Sequence, residues 1–185
     1  MKGVIFRSFY THVQNSYGDE LLEQLIEGAN LPSGGAYTTV GTYDVDEMVS
    51  LVVGLSKTTG QEVPEVLKDF GRGLFGLLLD HYPAVVEHCQ DSFTLISAID
   101  SYIHVEVKKL YPDADLPSFQ TEQTEPNQLW VRYRSVRGFA DLAEGLFEGC
   151  FDHYGEDVDM LVEDCSGGAK TDVKFRFQRK GPARG

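Results

Sequence analysis

The spacing of apolar residues changes near residue 116, and this change limits the possible fold more than any other feature of the sequence. Before this position, apolar residues recur every three to four positions, which is the spacing of helices that bury one face. The spacing predicts helices within 4–56, from Pro64 onward and over 91–110. The first part of the chain is therefore expected to be helical.

Strand patterns follow in the second part of the chain. In chain order, the segments predicted there are a loop over 116–128, a strand over 129–135, a helix over 138–154 and two strands over 158–163 and 171–178. The last two strands alternate apolar and polar residues on either side of Ser166-Gly167-Gly168, which predicts a β-hairpin. Helices followed by antiparallel strands indicate an α+β domain.

The length of 185 residues favours one domain, and the polar stretch 57–61 is the best candidate for a seam within it. Because this stretch is short and contains a glycine, we expect a hinge there and not a free linker. It would separate a helical subdomain of about 1–60 from a second subdomain of about 61–180. The tail from Arg179 onward is expected to be frayed, with 181–185 disordered.

Charge and composition exclude several classes of function. The chain has 16 Lys and Arg against 29 Asp and Glu, a net charge of -13, which opposes binding to the phosphates of nucleic acids. The sequence contains no run of about 18 apolar residues, which is the length that a membrane-spanning helix needs. The N-terminus lacks a secretory signal pattern, and three cysteines are too few for a disulfide framework. We therefore expect a cytoplasmic protein that binds neither membranes nor nucleic acids.

Three glycines interrupt the helix that begins near Pro64. Gly71, Gly73 and Gly76 each cost roughly 1 kcal/mol relative to alanine in a helix interior. Such a cost indicates that something flat, or another backbone, approaches this helix closely. Ordinary packing between helices explains the glycines equally well.

The residues suited to metal binding form no strong motif. His104 lies among apolar residues of its predicted helix, where a lone histidine is usually a hydrogen-bonded core residue. Cys150, His153 and Cys165 could supply three zinc ligands, but a fourth ligand and a paired Cys-x-x-Cys spacing are missing. Separate, half-buried thiols are the better interpretation.

A basic segment stands out in this acidic chain, with Arg132, Arg134 and Arg137 between residues 130 and 137. If the strand continues through Arg137, then Tyr133, Ser135 and Arg137 lie on one face. A phenol, a hydroxyl and a guanidinium together suit carboxylates or phosphates. A solvated strand face, paired with nearby acidic residues, is an equally good interpretation.

Motifs of the common enzyme classes are missing from the sequence. It contains no Gly-x-Ser-x-Gly elbow, no phosphate-binding glycine loop with a lysine, and no paired carboxylates near a nucleophile. We therefore expect a protein that is not an enzyme.

Two motifs in order resemble a known family. The first is His104-x5-Leu110-Tyr111-Pro112-x4-Pro117, and the second is Tyr133-x-Ser135-x-Arg137. Together with the start Met1-Lys2-Gly3, they are similar to the haem nitric oxide/oxygen-binding domains, the H-NOX family. The resemblance covers essentially the whole chain and implies a helical part followed by a helical and antiparallel-sheet part, which together enclose haem b.

The resemblance also implies roles for individual residues. His104 would be the proximal ligand of the haem iron, Tyr133, Ser135 and Arg137 would hold the two propionates, and Pro117 would press on the porphyrin. Members of the family that hold O2 carry a distal tyrosine five residues past the arginine of the second motif, where this chain has Leu142. The apolar distal pocket implied by the same alignment consists of Ile5, Phe9, Leu74, Leu78, Leu142 and Leu146.

By this resemblance, the expected function is an NO sensor that excludes O2. NO weakens the bond trans to it, so His104 would leave the iron and the change would be read by a partner in trans, a histidine kinase or a cyclic-di-GMP enzyme. The alternatives are an O2 sensor or carrier of the same fold, a haem enzyme with redox chemistry, and a haem-free interaction domain. A distal donor such as Tyr10 or His12 would favour O2 binding.

Overall fold

The computed structural model describes residues 1–81, 83–87 and 89–181. Its first part is helical, as predicted. The helices there are α1 (Gly3–Tyr17), α2 (Asp19–Gly28), α3 (Val45–Thr59) and α4 (Val63–His81). The Asp44 side chain caps α3 by accepting the Asp46 N–H at 3.0 Å, and Gly60, with φ of 76°, ends the helix in the left-handed region.

These four helices share the first hydrophobic core. Its fully buried members include Phe6, Phe9 and Val13 of α1, Leu51 and Leu55 of α3, and Phe70 and Leu74 of α4. Helix α4 follows the predicted seam at 57–61, yet it completes the same core as α1 and α3. The division into subdomains of about 1–60 and 61–180 stays a prediction.

The helix predicted over 91–110 is three helical segments. They are α5 (Ser92–Ser97), a π-helical segment (Ile99–Ile103) and α6 (His104–Leu110), and a short 3-10 turn (Pro83–Val85) precedes them. The Ile103 N–H donates to the Ala98 carbonyl five residues earlier, at 3.0 Å. Apolar spacing does not predict the wider turn, because the π-helical segment inserts one residue and leaves the helical pattern recognisable.

A four-stranded antiparallel sheet forms the second part, in the order β1-β2-β4-β3. Its strands are β1 (Ser118–Glu125), β2 (Gln128–Arg134), β3 (Val158–Asp164) and β4 (Asp172–Arg179). The predicted hairpin of the last two strands and the α+β class are confirmed. The prediction of a loop over 116–128 is wrong, because strand β1 lies within this range. Apolar spacing does not predict the strand, since β1 lies at one edge of the sheet, is polar and mostly exposed, and shows no apolar alternation.

The second hydrophobic core lies between this sheet and helix α7 (Ala140–Tyr154), which confirms the helix predicted over 138–154. Alternate residues of β2 and β4 point into it, including Leu129, Val131, Phe175 and Phe177, all nearly inaccessible to solvent. The Phe147 ring of α7 lies 5.1 Å from the rings of both phenylalanines, so aromatic contacts fix the helix on the sheet.

Helices α4 and α7 approach each other at backbone distance. A Cβ added to Gly71 would come within 3.0 Å of the Leu142 carbonyl, and one added to Gly145 would meet the Lys68 carbonyl equally closely. At Gly71, the backbone of another helix therefore approaches closely, and this approach is part of the packing between α4 and α7. Gly73 instead lies against the His12 ring.

The prediction of a frayed tail from Arg179 onward is wrong at its first residue. Arg179 is buried; its Nε donates to Glu156 at 2.9 Å, and its Nη2 lies 3.3 Å from an Asp91 oxygen. Its guanidinium also covers the Phe93 ring at 3.9 Å. The position of Arg179 near the end of the sequence suggested a free end, whereas Arg179 is the last residue of β4 and its side chain is buried. Residues 182–185 of the predicted tail lie outside the described residues.

Within the described part of the chain, no helix is both long and apolar enough to cross a membrane.

The contact between α4 and α7 predicts the effect of one methyl group. Gly145→Ala should lower the free energy of unfolding by about 2–3 kcal/mol, because the added Cβ meets backbone that cannot rotate away. Urea denaturation measures this change. Gly28→Ala is the matched control, since no described atom lies within 4 Å of its added Cβ, and it should be neutral or stabilising. Equal effects of the two substitutions would contradict the close contact.

Candidate functional site

His104 begins helix α6, directly after the π-helical segment. Its side chain is 18% exposed, and its Nδ1 lies 2.8 Å from Oδ1 of Asp100, one helical turn earlier. Burial lowers the pKa of His104, against the opposing charge of Asp100. Burial therefore favours the neutral imidazole, which is the form that binds metals.

Asp100 connects His104 to the sheet. Its second oxygen, Oδ2, accepts the backbone N–H of Phe119 at 2.7 Å, at the start of β1 and two residues after Pro117. The Phe119 ring lies 5.8 Å from the His104 ring and 5.4 Å from the Tyr133 ring. The structure thus brings His104, the Pro117 segment and Tyr133 to one end of the second core.

Tyr133, Ser135 and Arg137 lie together, but not for the predicted reason. Strand β2 ends at Arg134, so the condition that the strand continues through Arg137 is not met, and Ser135 and Arg137 lie in the turn region that follows it. The Arg137 backbone N–H donates to Ser135 Oγ at 3.2 Å, and burial raises the pKa of the Tyr133 hydroxyl, against a lowering effect of Ser135. Gly138, at φ of 67°, lets the chain turn from the strand into α7.

The Arg137 guanidinium binds a carboxylate from the loop before β1. It donates to the Asp115 carbonyl at 2.7 Å and to the Asp115 side chain at 2.9 Å. The pKa of the Met1 amino group is lowered by burial and by the charge of Arg137, so the N-terminus lies near this arginine. Asp113 of the same loop accepts from Thr42 at 2.7 Å and pairs with Lys2 at 3.2 Å.

The six residues implied for a distal pocket fall in one cluster. Phe9 and Leu74 are buried in the first core, and the other four pack against it, partly buried: Ile5, Leu78, Leu142 and Leu146. Of the two donors that could oppose an apolar pocket, Tyr10 has another hydrogen-bond partner, whereas His12 lies beside Phe70, whose ring contacts that of Phe9. The Tyr10 hydroxyl donates to the Gly35 carbonyl at 3.1 Å, and burial raises its pKa to about 12. The His12 ring lies 5.7 Å from the Phe70 ring.

The structure gives no support to a zinc site on Cys150, His153 and Cys165. Cys150 is buried in the second core, Cys165 is exposed beyond β3, and His153 packs on Tyr154 with ring centroids 4.9 Å apart. Among the described residues, no group of three or more His, Cys, Asp or Glu could hold a metal ion. The two thiols are separate, as the interpretation of the sequence favoured, but they are not half-buried, since Cys150 is buried and Cys165 is exposed.

Sequence reasoning missed Asp100 and Asp115. The signal for Asp100 was present, because a carboxylate four residues before a histidine lies on the same helix face. No comparable signal existed for Asp115, because a loop brings it to Arg137 over a separation of 22 residues.

Comparison with known proteins gives the family. The family model described as Haem-NO-binding matches residues 2–162. The chain belongs to the H-NOX family. H-NOX domains are haem-based gas sensors.

Solved H-NOX structures agree closely with this chain. The unliganded Fe(II) H-NOX protein of K. algicida is 32% identical, with a TM-score of 0.92 and all of both chains covered. The S. oneidensis H-NOX protein in the Fe(II)NO state is 27% identical, with a TM-score of 0.91, covering 98% of this chain and all of that one. The H-NOX of Shewanella woodyi, bound to IWP-051 in the Fe(II)CO state, is 38% identical, with a TM-score of 0.83, covering 100% and 97%.

The positions of the thiols predict their reactivity. Cys165 should react at once with a thiol reagent such as DTNB, whereas Cys150 should react only after unfolding, because burial raises its pKa and excludes the reagent. Mass spectrometry of briefly labelled protein identifies the modified residue. Cys165→Ser is the control and should abolish the fast phase. Rapid labelling of Cys150 in the folded protein would contradict its burial.

Proposed function

We propose that this H-NOX domain is a nitric oxide sensor that holds haem b through His104 and excludes O2. The observation that carries the proposal is the hydrogen bond between His104 Nδ1 and Asp100. Histidines that bind a metal usually donate their other ring N–H to a carboxylate or carbonyl, which fixes the orientation of the ring. A buried, neutral histidine held in this way is well suited to an iron ligand. When bound, the haem supplies a ferrous iron that takes up the diatomic gas.

Tyr133, Ser135 and Arg137 are the proposed ligands of the haem propionates. Each can donate a hydrogen bond, and Arg137 already binds the carboxylate of Asp115, the same chemical group as a propionate. Since Asp115 is largely exposed, it can exchange this contact for water when Arg137 takes another carboxylate. The role proposed for Pro117 is contact with the porphyrin near His104.

The proposed preference for NO rests on the apolar cluster. Ferrous iron binds NO tightly without help, whereas bound O2 draws negative charge and is stabilised by a hydrogen-bond donor. Leu142 stands where O2-binding relatives have tyrosine, and all six proposed distal side chains are apolar. An O2 sensor or carrier is the alternative function, and the aliphatic Leu142 is the observation against it.

Signalling is proposed to follow the release of His104. With haem bound, NO would favour a state in which His104 no longer binds the iron, so that α6, which His104 begins, would no longer be held there. A partner in trans reads this change, and we propose a histidine kinase or a cyclic-di-GMP enzyme, with the chain itself acting in the cytoplasm and not as an enzyme. The net charge of -13 favours a partner with a basic docking face, whose binding salt should weaken.

His104→Gly tests the iron ligand. The ferrous variant should lose the iron–histidine stretching band in resonance Raman spectra, and imidazole in solution should restore it by filling the vacated position. The wild type with NO should give the spectrum of a five-coordinate ferrous–NO species, since His104 leaves.

Exposed His153→Ala is the matched control and should behave as the wild type. An unchanged iron–histidine band in His104→Gly would overturn the assignment of the ligand. No haem band in the wild type after reconstitution would favour a haem-free interaction domain.

Leu142→Tyr tests the exclusion of O2. A hydrogen bond from the new phenol, worth about 1–1.5 kcal/mol, should raise O2 affinity roughly tenfold. Absorption spectra of the ferrous protein in air should then show an oxy complex in this variant but not in the wild type or in the size-matched Leu142→Phe. A stable oxy complex of the wild type would move the function to O2 sensing.

A further inference from the structure

Asp100 accepts two hydrogen bonds from two different parts of the chain. Its Oδ1 lies 2.8 Å from His104 Nδ1, and its Oδ2 lies 2.7 Å from the backbone nitrogen of Phe119. The Asp100 side chain is 37% exposed, and that of His104 is 18% exposed. The contact is thus partly shielded from water, where a hydrogen bond to a charged group is worth more than at the surface.

These two contacts decide which ring nitrogen of His104 carries the proton. The Phe119 backbone N–H can only donate, so Oδ2 accepts. An ionised carboxylate is an acceptor at both oxygens, so His104 Nδ1 must donate to Oδ1. With Nδ1 engaged in this contact, Nε2 is the ring nitrogen left to bind a metal. An asparagine at position 100 could not replace this arrangement, because it has one acceptor oxygen for two donors.

The π-helical segment sets the position of Asp100. The segment Ile99–Ile103 contains Asp100 and ends directly before His104, whose N–H donates to the Ile99 carbonyl in the wider turn. Segments of this kind cost stability and occur frequently at functional sites. Here the segment coincides with the residue pair that joins α6 to the first residues of β1.

We propose that Asp100 is a positioning residue for the proximal histidine, which keeps Nε2 of His104 available to the iron and couples the movement of His104 to β1. The coupling follows from the shared carboxylate. If His104 moves and Asp100 moves with it, the hydrogen bond between Asp100 and the Phe119 N–H must change, two residues after Pro117. This inference rests on the proposed function, in which His104 binds iron.

A purely structural role is the competing explanation. A hydrogen bond between residues four apart stabilises a helix by a few tenths of a kcal/mol, whatever the histidine does. The two roles differ in what they change. A structural role affects unfolding alone, whereas a positioning role also affects the bond between His104 and iron.

Asp100→Asn in the haem-loaded protein separates these roles. The iron–histidine stretching band of the ferrous protein should move to lower frequency, since the neutral amide accepts more weakly than a carboxylate and has only one oxygen for the two donors. Conversion to the five-coordinate ferrous–NO spectrum should be about 10-fold faster or more complete. Glu106→Gln is the matched control, because it removes a carboxylate whose ion-pair partner within the described residues is Lys109, at 2.6 Å on the same helix, and it should leave both readouts unchanged.

A measurement on the wild type keeps the inference testable if the variant does not fold. NMR of the diamagnetic ferrous–CO protein should show a His104 Nδ1–H that exchanges slowly with solvent, and a Phe119 amide shifted downfield by its charged acceptor. Absence of a protected Nδ1–H would overturn the inference.

The outcomes also separate this inference from the function on which it rests. A wild type without an iron–histidine band would overturn both. A wild type with the band, combined with an Asp100→Asn protein that has the same band and the same conversion by NO, would overturn the role of Asp100 alone.

Discussion

The backbone contact between α4 and α7 is the constraint on which the rest of the structure depends. Gly71 and Gly145 remove the side chains that would separate the two helices, and the pair Lys68–Glu144, at 2.6 Å, flanks the contact. Because α7 lies between the two cores, it presents Leu142 and Leu146 to the first and Phe147 to the second. One helix therefore contributes to the proposed gas pocket and supports the sheet behind His104.

The loop between α6 and β1 connects the packed helices and sheet to the proposed haem-binding residues. Asp113 pairs with Lys2 near the N-terminus, while Asp115 holds Arg137 after β2. Asp100 binds Phe119 at the far end of the loop. The segment that contains Pro117 is thus connected by these contacts to the N-terminus, to the turn after β2 and to the helical segment before His104.

Local signals in the sequence were sufficient where each element carries its own pattern. The hairpin of β3 and β4 shows alternation around two glycines, and α7 shows a full helical repeat. Strand β1 does not, because its polar residues gain their structure only from pairing with β2. The burial of Arg179 was equally hidden, since its partners Asp91 and Glu156 lie far from it in the sequence.

The sequence by itself determined the α+β class and the family, and it supplied the residues proposed to hold a haem, because motif order and apolar periodicity are properties of the chain. Only the tertiary structure decided how these residues meet. Tyr133, Ser135 and Arg137 come together through a turn and not along a strand. Asp100 acquires its second partner from β1. Contacts of this kind depend on the relative placement of distant elements, which long-range packing sets and local propensity does not encode.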